Sequence, residues 1–162
     1  MSYPAALYLG DKGETTGRFH LADAAPDLLI GERTRVHYLA TGANTGGHYG
    51  LYRWEMGAAP SGGGAHFHRT FSESFFILTG TVSLYDGEAW TDHSPGAFFH
   101  VPPGGIHAFR NSHGPATMLV LFAPGAPREG YFEELADIVG SGRQLSEEEW
   151  TDLYRRHDQY MV

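Results

Sequence analysis

The chain has 162 residues, 41% of them hydrophobic, and a formal net charge of -8 with a single lysine, Lys12. That length is one ordinary domain, and that much apolar content excludes wholesale disorder. No basic stripe is present for a phosphate backbone, no apolar run approaches ~18 residues, and the absence of cysteine removes disulfides, thiolate metal sites and cysteine nucleophiles. The start, Met1-Ser2-Tyr3-Pro4, lacks the basic residues of a secretory signal, so a cytoplasmic location is expected, with neither nucleic acid nor membrane as partner.

Residues 1–30 read as an N-terminal arm, with Gly10, Gly13, Gly17 and Pro26 and no sustained period. Thr34 to Ala40 is expected to be the first strand. His48 to Met56 alternates: His48, Tyr52, Trp54 and Met56 share one face, and Tyr49, Leu51, Arg53 and Glu55 the other. The first face is expected to point inward, because the second carries two charges. Phe75 to Tyr85 reads as a strand pair broken near Thr79-Gly80, and Asp86-Gly87 is a hairpin signal with Glu88 to Asp92 as the return strand. Ala97 to Val101, Ile106 to Arg110 and Ala116 to Ala123 complete a set of short strands. Turns at Ser94-Pro95-Gly96 and Pro102-Pro103-Gly104-Gly105 separate them. Short strands punctuated in this way predict an all-β barrel or sandwich over residues 31–125.

Residues 126–162 change character. Glu129 to Val139 has helical spacing, with Phe132, Leu135, Ile138 and Val139 on one side, ended by Gly140-Ser141-Gly142. Ser146-Glu147-Glu148-Glu149 is a capping box that opens a second helix with Trp150, Leu153 and Tyr154 as its apolar side. This helical extension is expected to cap the barrel or to form an edge for dimer contact. Nine acidic residues against four arginines from Arg128 to Val162 read as a solvated face.

Ten histidines are a high count for this length. His66 and His68 lie two residues apart, so on a strand both imidazoles reach one point. Glu73 has the wrong parity to continue that strand, so the chain is expected to reverse and place Glu73 on an antiparallel neighbour. His107 follows a tight turn that can set its strand alongside. Three imidazoles and a carboxylate suit a divalent transition metal: Fe, Mn, Ni, Co, Cu or Zn. His20, His37, His48, His93, His113 and His157 read as surface or loop residues. His100, on an expected strand, is a weaker pocket candidate. Asn111 reads as a maker of turn hydrogen bonds.

The spacing His66-x-His68, four residues, Glu73, six residues, Gly80 resembles the first motif of the cupin superfamily. Gly96, five residues, Pro102-x-Gly104, two residues, His107, three residues, Asn111 resembles the second. Pro60 stands where the family usually has glycine. The resemblance covers roughly residues 34–123 and implies a small jelly-roll β-barrel with His66, His68, Glu73 and His107 as metal ligands. Within the superfamily the chain resembles single-domain, quercetinase-type dioxygenases. That implies dioxygen as co-substrate, an aromatic or enol-bearing small molecule as substrate, and Glu73 as acceptor of the substrate hydroxyl proton.

A non-redox isomerase, cyclase or lyase using the metal as a Lewis acid, and a binding cupin without turnover, remain open. Parity places Phe75 and Ile77 beside Glu73, and Phe109 beside His107, as substrate contacts. Tyr52 and Trp54 are expected on the opposite wall. Arg53 and Arg110 are weaker candidates for an anionic substrate. Exposed barrel edges and the arm point to a homodimer.

Overall fold

The computed structural model describes residues 2–162. In chain order its elements are β1 (Leu28–Ile30), β2 (Thr34–Ala40), β3 (Gly50–Met56), β4 (His66–Phe67), β5 (Ser72–Thr79), β6 (Val82–Tyr85), β7 (Trp90–His93), β8 (Phe98–Val101), β9 (Ala108–Arg110), β10 (Ala116–Ala123), α1 (Arg128–Ser141), α2 (Glu147–Arg156) and β11 (Tyr160–Met161). The architecture is all-β with two C-terminal helices. Neither helix is long and apolar enough to cross a membrane.

One six-stranded sheet runs in the order β1-β2-β3-β10-β5-β8, a second has β7-β6-β9, and β11 pairs with β4. Strand alternation dictates which face is packed. Along β10 burial alternates strictly, with Ala116, Met118, Val120 and Phe122 inside. In register with them, Trp54 and Ile77 flank Met118, Tyr52 and Phe75 flank Val120, and Glu73 lies opposite Phe122. This face of the sheet is the core wall. Tyr52 is fully buried, and its ring meets Phe122 and Phe132 edge-on at 5.6 and 5.4 Å, contacts worth about 0.5–1.5 kcal/mol each beyond burial.

The chain breaks between β5 and β6 at Gly80, which has φ +73°. A Cβ there would collide with the Pro115 carbonyl, so only glycine lets β6 leave for the second sheet. The Asp86-Gly87 hairpin forms as expected: Asp86 Oδ1 accepts from the N–H groups of Glu88 and Ala89, both at 2.9 Å. The inward face of β3 is also as read, although His48 and Tyr49 precede the strand and are exposed.

The structure departs from the sequence reading in several places. Leu28–Ile30, within the stretch read as an arm, pairs with β2, and β11 was not foreseen at all. Helix α1 starts at Arg128, one residue earlier than read, and that arginine is buried. Val139, expected on the apolar side of α1, is half exposed. His37 is not a surface residue. It lies on the outer face of β2, but Arg53, Glu55 and His20 of the arm cover it: Glu55 Oε1 is 3.2 Å from its Nε2 and the His20 ring meets it edge-on.

Helix α1 packs on β1 and sends Tyr131 and Phe132 into the core. Helix α2 is opened by the expected capping box, Ser146 Oγ accepting from Glu149 N while Glu149 accepts from Ser146 N.

Candidate metal centre

The imidazoles sit on or directly beside two short strands: His66 opens β4, His68 follows it, and His107 precedes β9. His66 and His107 form an antiparallel bridge, His66 N donating to His107 O at 3.0 Å and His107 N to His66 O at 2.9 Å. His68 lies two residues beyond His66, on the same side. Glu73 does not arrive as expected. It sits on β5 in the large sheet, paired with β10 and β8, so it reaches the histidines across the barrel interior and not from the strand beside them. The short connection 68–71 carries the chain from one wall to the other.

The cluster is tight and buried. His66, His68, Glu73 and His107 each offer one ligand atom, and these atoms lie within 4.8 Å of one another. None of the four residues is more than 8% exposed. Each imidazole spends its Nδ1–H on a backbone carbonyl: His66 on Gly64 O at 2.9 Å, His68 on Asp158 O at 2.7 Å, His107 on Gly105 O at 3.0 Å. A neutral ring with Nδ1–H carries a bare lone pair on Nε2. His68 Nε2 and His107 Nε2 stand 3.0 and 2.9 Å from Glu73 Oε2. A proton on either Nε2 bonds to Glu73 Oε2; once it is released, three lone pairs and a carboxylate oxygen converge, an arrangement that a divalent cation satisfies. The donor set fits a transition metal, and the backbone carbonyls fix ring orientation as outer partners of metal sites do.

Electrostatics agree. Burial drives His66 down to about 4, which keeps its ring neutral at physiological pH. Burial alone would raise Glu73, yet hydrogen bonds with His107 and His68 outweigh it and hold the carboxyl well below its usual range. Burial lowers His107, and the opposing Glu73 carboxylate overrides that and raises it. A carboxylate charged at neutral pH beside lone-pair donors is the state a metal binds.

A cavity of about 210 Å³ adjoins the cluster. His66 and Glu73 form part of its wall, with Trp54, Phe109, Phe132 and Val120 as apolar lining, Arg33 and Arg128 as cations, and the loop Ser61–Gly63 on one side. Of the residues expected to touch substrate, Trp54 and Phe109 line this cavity. Tyr52, Phe75 and Ile77 do not. Tyr52 lies deeper, its hydroxyl donating to Glu129. Phe75 fills the space between Phe99, Phe109 and the His107 ring. Ile77 is buried opposite Met118. Arg53 pairs with Glu55 and Arg110 stacks on Trp90, so neither faces the cavity. His100 is exposed on the outer sheet face against Ser74.

Asn111 does more than close its own turn. Its Oδ1 accepts from Ser61 N at 2.7 Å, and its Nδ2 donates to Gly57 O at 2.6 Å and Gly114 O at 2.9 Å, which pins the cavity-lining loop.

Three residues at the site escaped the sequence reading. Arg128 is a buried cation in the cavity wall. Gln159 lines the cavity and accepts from Arg128 at 3.2 Å. Asp158, at φ 53°, accepts on its side chain from Arg69 N, Thr70 N and Thr70 Oγ1, while its carbonyl orients His68. Their only sequence signal is a polar Asp-Gln pair after an amphipathic helix, which gives no hint of a long-range strap.

Residues 52–122 match the cupin domain family. Quercetin 2,3-dioxygenase from Bacillus subtilis is 29% identical over 72 residues, 44% of this chain and 21% of that protein, so the match spans about a fifth of the relative's length. The structure of KdgF from a Halomonas species superposes with a TM-score of 0.58 at 15% identity, covering 66% of this chain and 94% of that one. An RmlC-like cupin from Shewanella frigidimarina gives 0.56 at 18% identity, covering 67% and 92%. At such identities the superpositions speak for a common fold. The segment 52–122 contains all four residues of the His/Glu cluster, and the barrel that surrounds them has the cupin fold.

Proposed function

We propose that the protein is a metal-dependent enzyme, a dioxygenase acting on a compact aromatic or enol-bearing molecule. The observation that carries this reading is the meeting of three imidazole lone pairs and one carboxylate at the wall of an aromatic-lined cavity. Similarity over 72 residues to a quercetin 2,3-dioxygenase supports it. His66, His68, Glu73 and His107 would hold the ion. A bound divalent transition metal supplies Lewis acidity toward a substrate oxygen and, for a redox-active ion, activation of dioxygen.

The chain's own residues do the rest. Trp54, Phe109 and Phe132 hold the flat body of the substrate and exclude water from the reacting face. Glu73 belongs to both the cluster and the cavity wall, which supports it as acceptor of the substrate hydroxyl proton. Helix α1 supplies Arg128, Tyr131, Phe132 and Leu135 to the wall and so closes the barrel on one side. The cavity is smaller than the roughly 300–1,000 Å³ typical of drug-sized ligands, which favours a substrate smaller than a three-ring flavonol. For the homodimer, the occupied face would be the outer strip of Phe76, Leu78 and Phe98, which are exposed and contiguous across β5 and β8.

Oxygen uptake by metal-loaded protein over a panel of small phenolic and enolic compounds tests the reaction. Consumption of one dioxygen per substrate, reduced at least 100-fold in Glu73→Gln, is the expected result. Turnover of the same panel by zinc-loaded protein without oxygen would replace the proposal with a Lewis-acid isomerase, cyclase or lyase. Binding without turnover under either condition would leave a ligand-binding cupin.

A further inference from the structure

We infer that Arg128 is an anion-binding residue and that the ligand of this cavity carries a carboxylate. The inference deepens the proposed function by naming the charge of the substrate.

Arg128 is 4% exposed and lies in the wall of the cavity. A buried cation ordinarily has a carboxylate partner. Among the described residues the arginine ion pairs are those of Arg53 with Glu55 and Arg156 with Glu134, and Arg128 has none. Its protein bonds are few: Nη1 donates to His157 O at 2.8 Å and Nη2 to Gln159 Oε1 at 3.2 Å, while the buried Nε–H has no partner. A guanidinium presents five N–H donors, so most of its capacity is unspent.

The surroundings keep this charge in place without neutralising it. The guanidinium carbon lies 4.4 Å from the Tyr131 ring centre and 5.3–5.6 Å from those of Phe122, Phe132 and Phe71. The aromatic faces offset part of the desolvation cost and hold the planar fork rigid. In the cavity wall the other charged groups are Arg33 and Glu73. Arg33 is exposed to water, and the single carboxylate, Glu73, already belongs to the His/Glu cluster. An anionic group on an otherwise apolar ligand satisfies this lining, and a planar carboxylate matches the fork in shape.

Calorimetric titration of the full-length protein with paired aromatic carboxylates and carboxamides, from benzoate and benzamide to cinnamate and cinnamamide, tests the inference. Each pair is measured before and after treatment with a chelator. The acid of at least one pair is expected to bind wild type at least tenfold more tightly than its amide, and the preference is expected to survive chelation. In Arg128→Met the preference falls to about onefold while amide affinity stays within threefold. In Arg128→Lys, which keeps the charge but not the fork, an intermediate preference is expected. Arg110→Met, outside the cavity, leaves the preference unchanged.

No preference in wild type, a preference abolished by chelation, or one that persists in Arg128→Met would overturn the assignment. Should Arg128→Met fail to fold, wild type after chelation and Arg128→Lys decide the matter. Oxygen uptake plays no part in these measurements, so failure of the dioxygenase reading is separable from failure of this one.

Discussion

Asn111 offers the sharpest test of how the barrel shapes its cavity. The residue is fully buried and ties Gly57 and Ser61 of the 57–61 segment to Gly114. Asn111→Ala strands the Ser61 N–H and the carbonyls of Gly57 and Gly114. An unsatisfied buried polar group costs about 1–3 kcal/mol. Gly57, Ser61 and Gly114 are only partly buried, so water reaches some of the orphaned groups and the lower end applies. Three groups at ~1 kcal/mol each give a loss of about 3 kcal/mol, roughly two decades in the folding equilibrium constant.

Asn111→Asp separates hydrogen bonding from volume. It preserves shape and the acceptor for Ser61 N, but it turns a second acceptor toward the Gly57 and Gly114 carbonyls, so it is expected to be at least as damaging as alanine. Urea denaturation followed by circular dichroism measures both variants. A cost under ~1 kcal/mol for Asn111→Ala, or an aspartate variant near wild type, would refute the clamp.

Asp158→Ala removes three hydrogen bonds to residues 69–70 and puts a Cβ-bearing residue without a compensating side-chain bond at φ 53°; about 2 kcal/mol of stability is expected to go. Because the Asp158 carbonyl orients His68, metal affinity measured by chelator competition should fall about tenfold, and unchanged affinity would detach this segment from the centre. Glu134 is held below its usual range by its hydrogen bond from His157 and by Arg156, at 2.9 and 2.7 Å. A carboxyl with a depressed folded value contributes stability above its unfolded value of 4.5 that is lost as pH falls through the folded one. The side chain is 44% exposed, so Glu134→Gln should cost under ~1 kcal/mol near pH 6, and the gap to wild type should close on acidification below 4.5; a gap that widens there would contradict the assignment.

Local patterning carried much of this structure. Period-two alternation placed Tyr52, Trp54 and Met56 inside, and the capping box at Ser146 opened α2 where it was read. Parity also grouped His66 with His68, because two positions in one extended stretch need no knowledge of topology, even though β4 itself ends at Phe67. Partners set by long-range packing were not legible. Glu73 sits on the opposite wall because β5 joins the large sheet, and nothing near residue 73 declares which sheet it enters. His37 is buried because the arm folds over an outward face. Arg128 opens an acidic helix after Pro127, a context that reads as solvated. Only the return of β11 to β4 brings residues 158 and 159 to the site and encloses that arginine.

The proposed chemistry depends on an ion held by four side chains, His66, His68, Glu73 and His107. Elemental analysis of the purified chain, set beside that of His66→Ala, tests this most directly. About one equivalent of a first-row transition metal per chain in the wild type is predicted, with near-complete loss in a variant that remains folded by circular dichroism. Full metal content in folded His66→Ala, or a wild type that takes up no such ion when one is supplied, would contradict it.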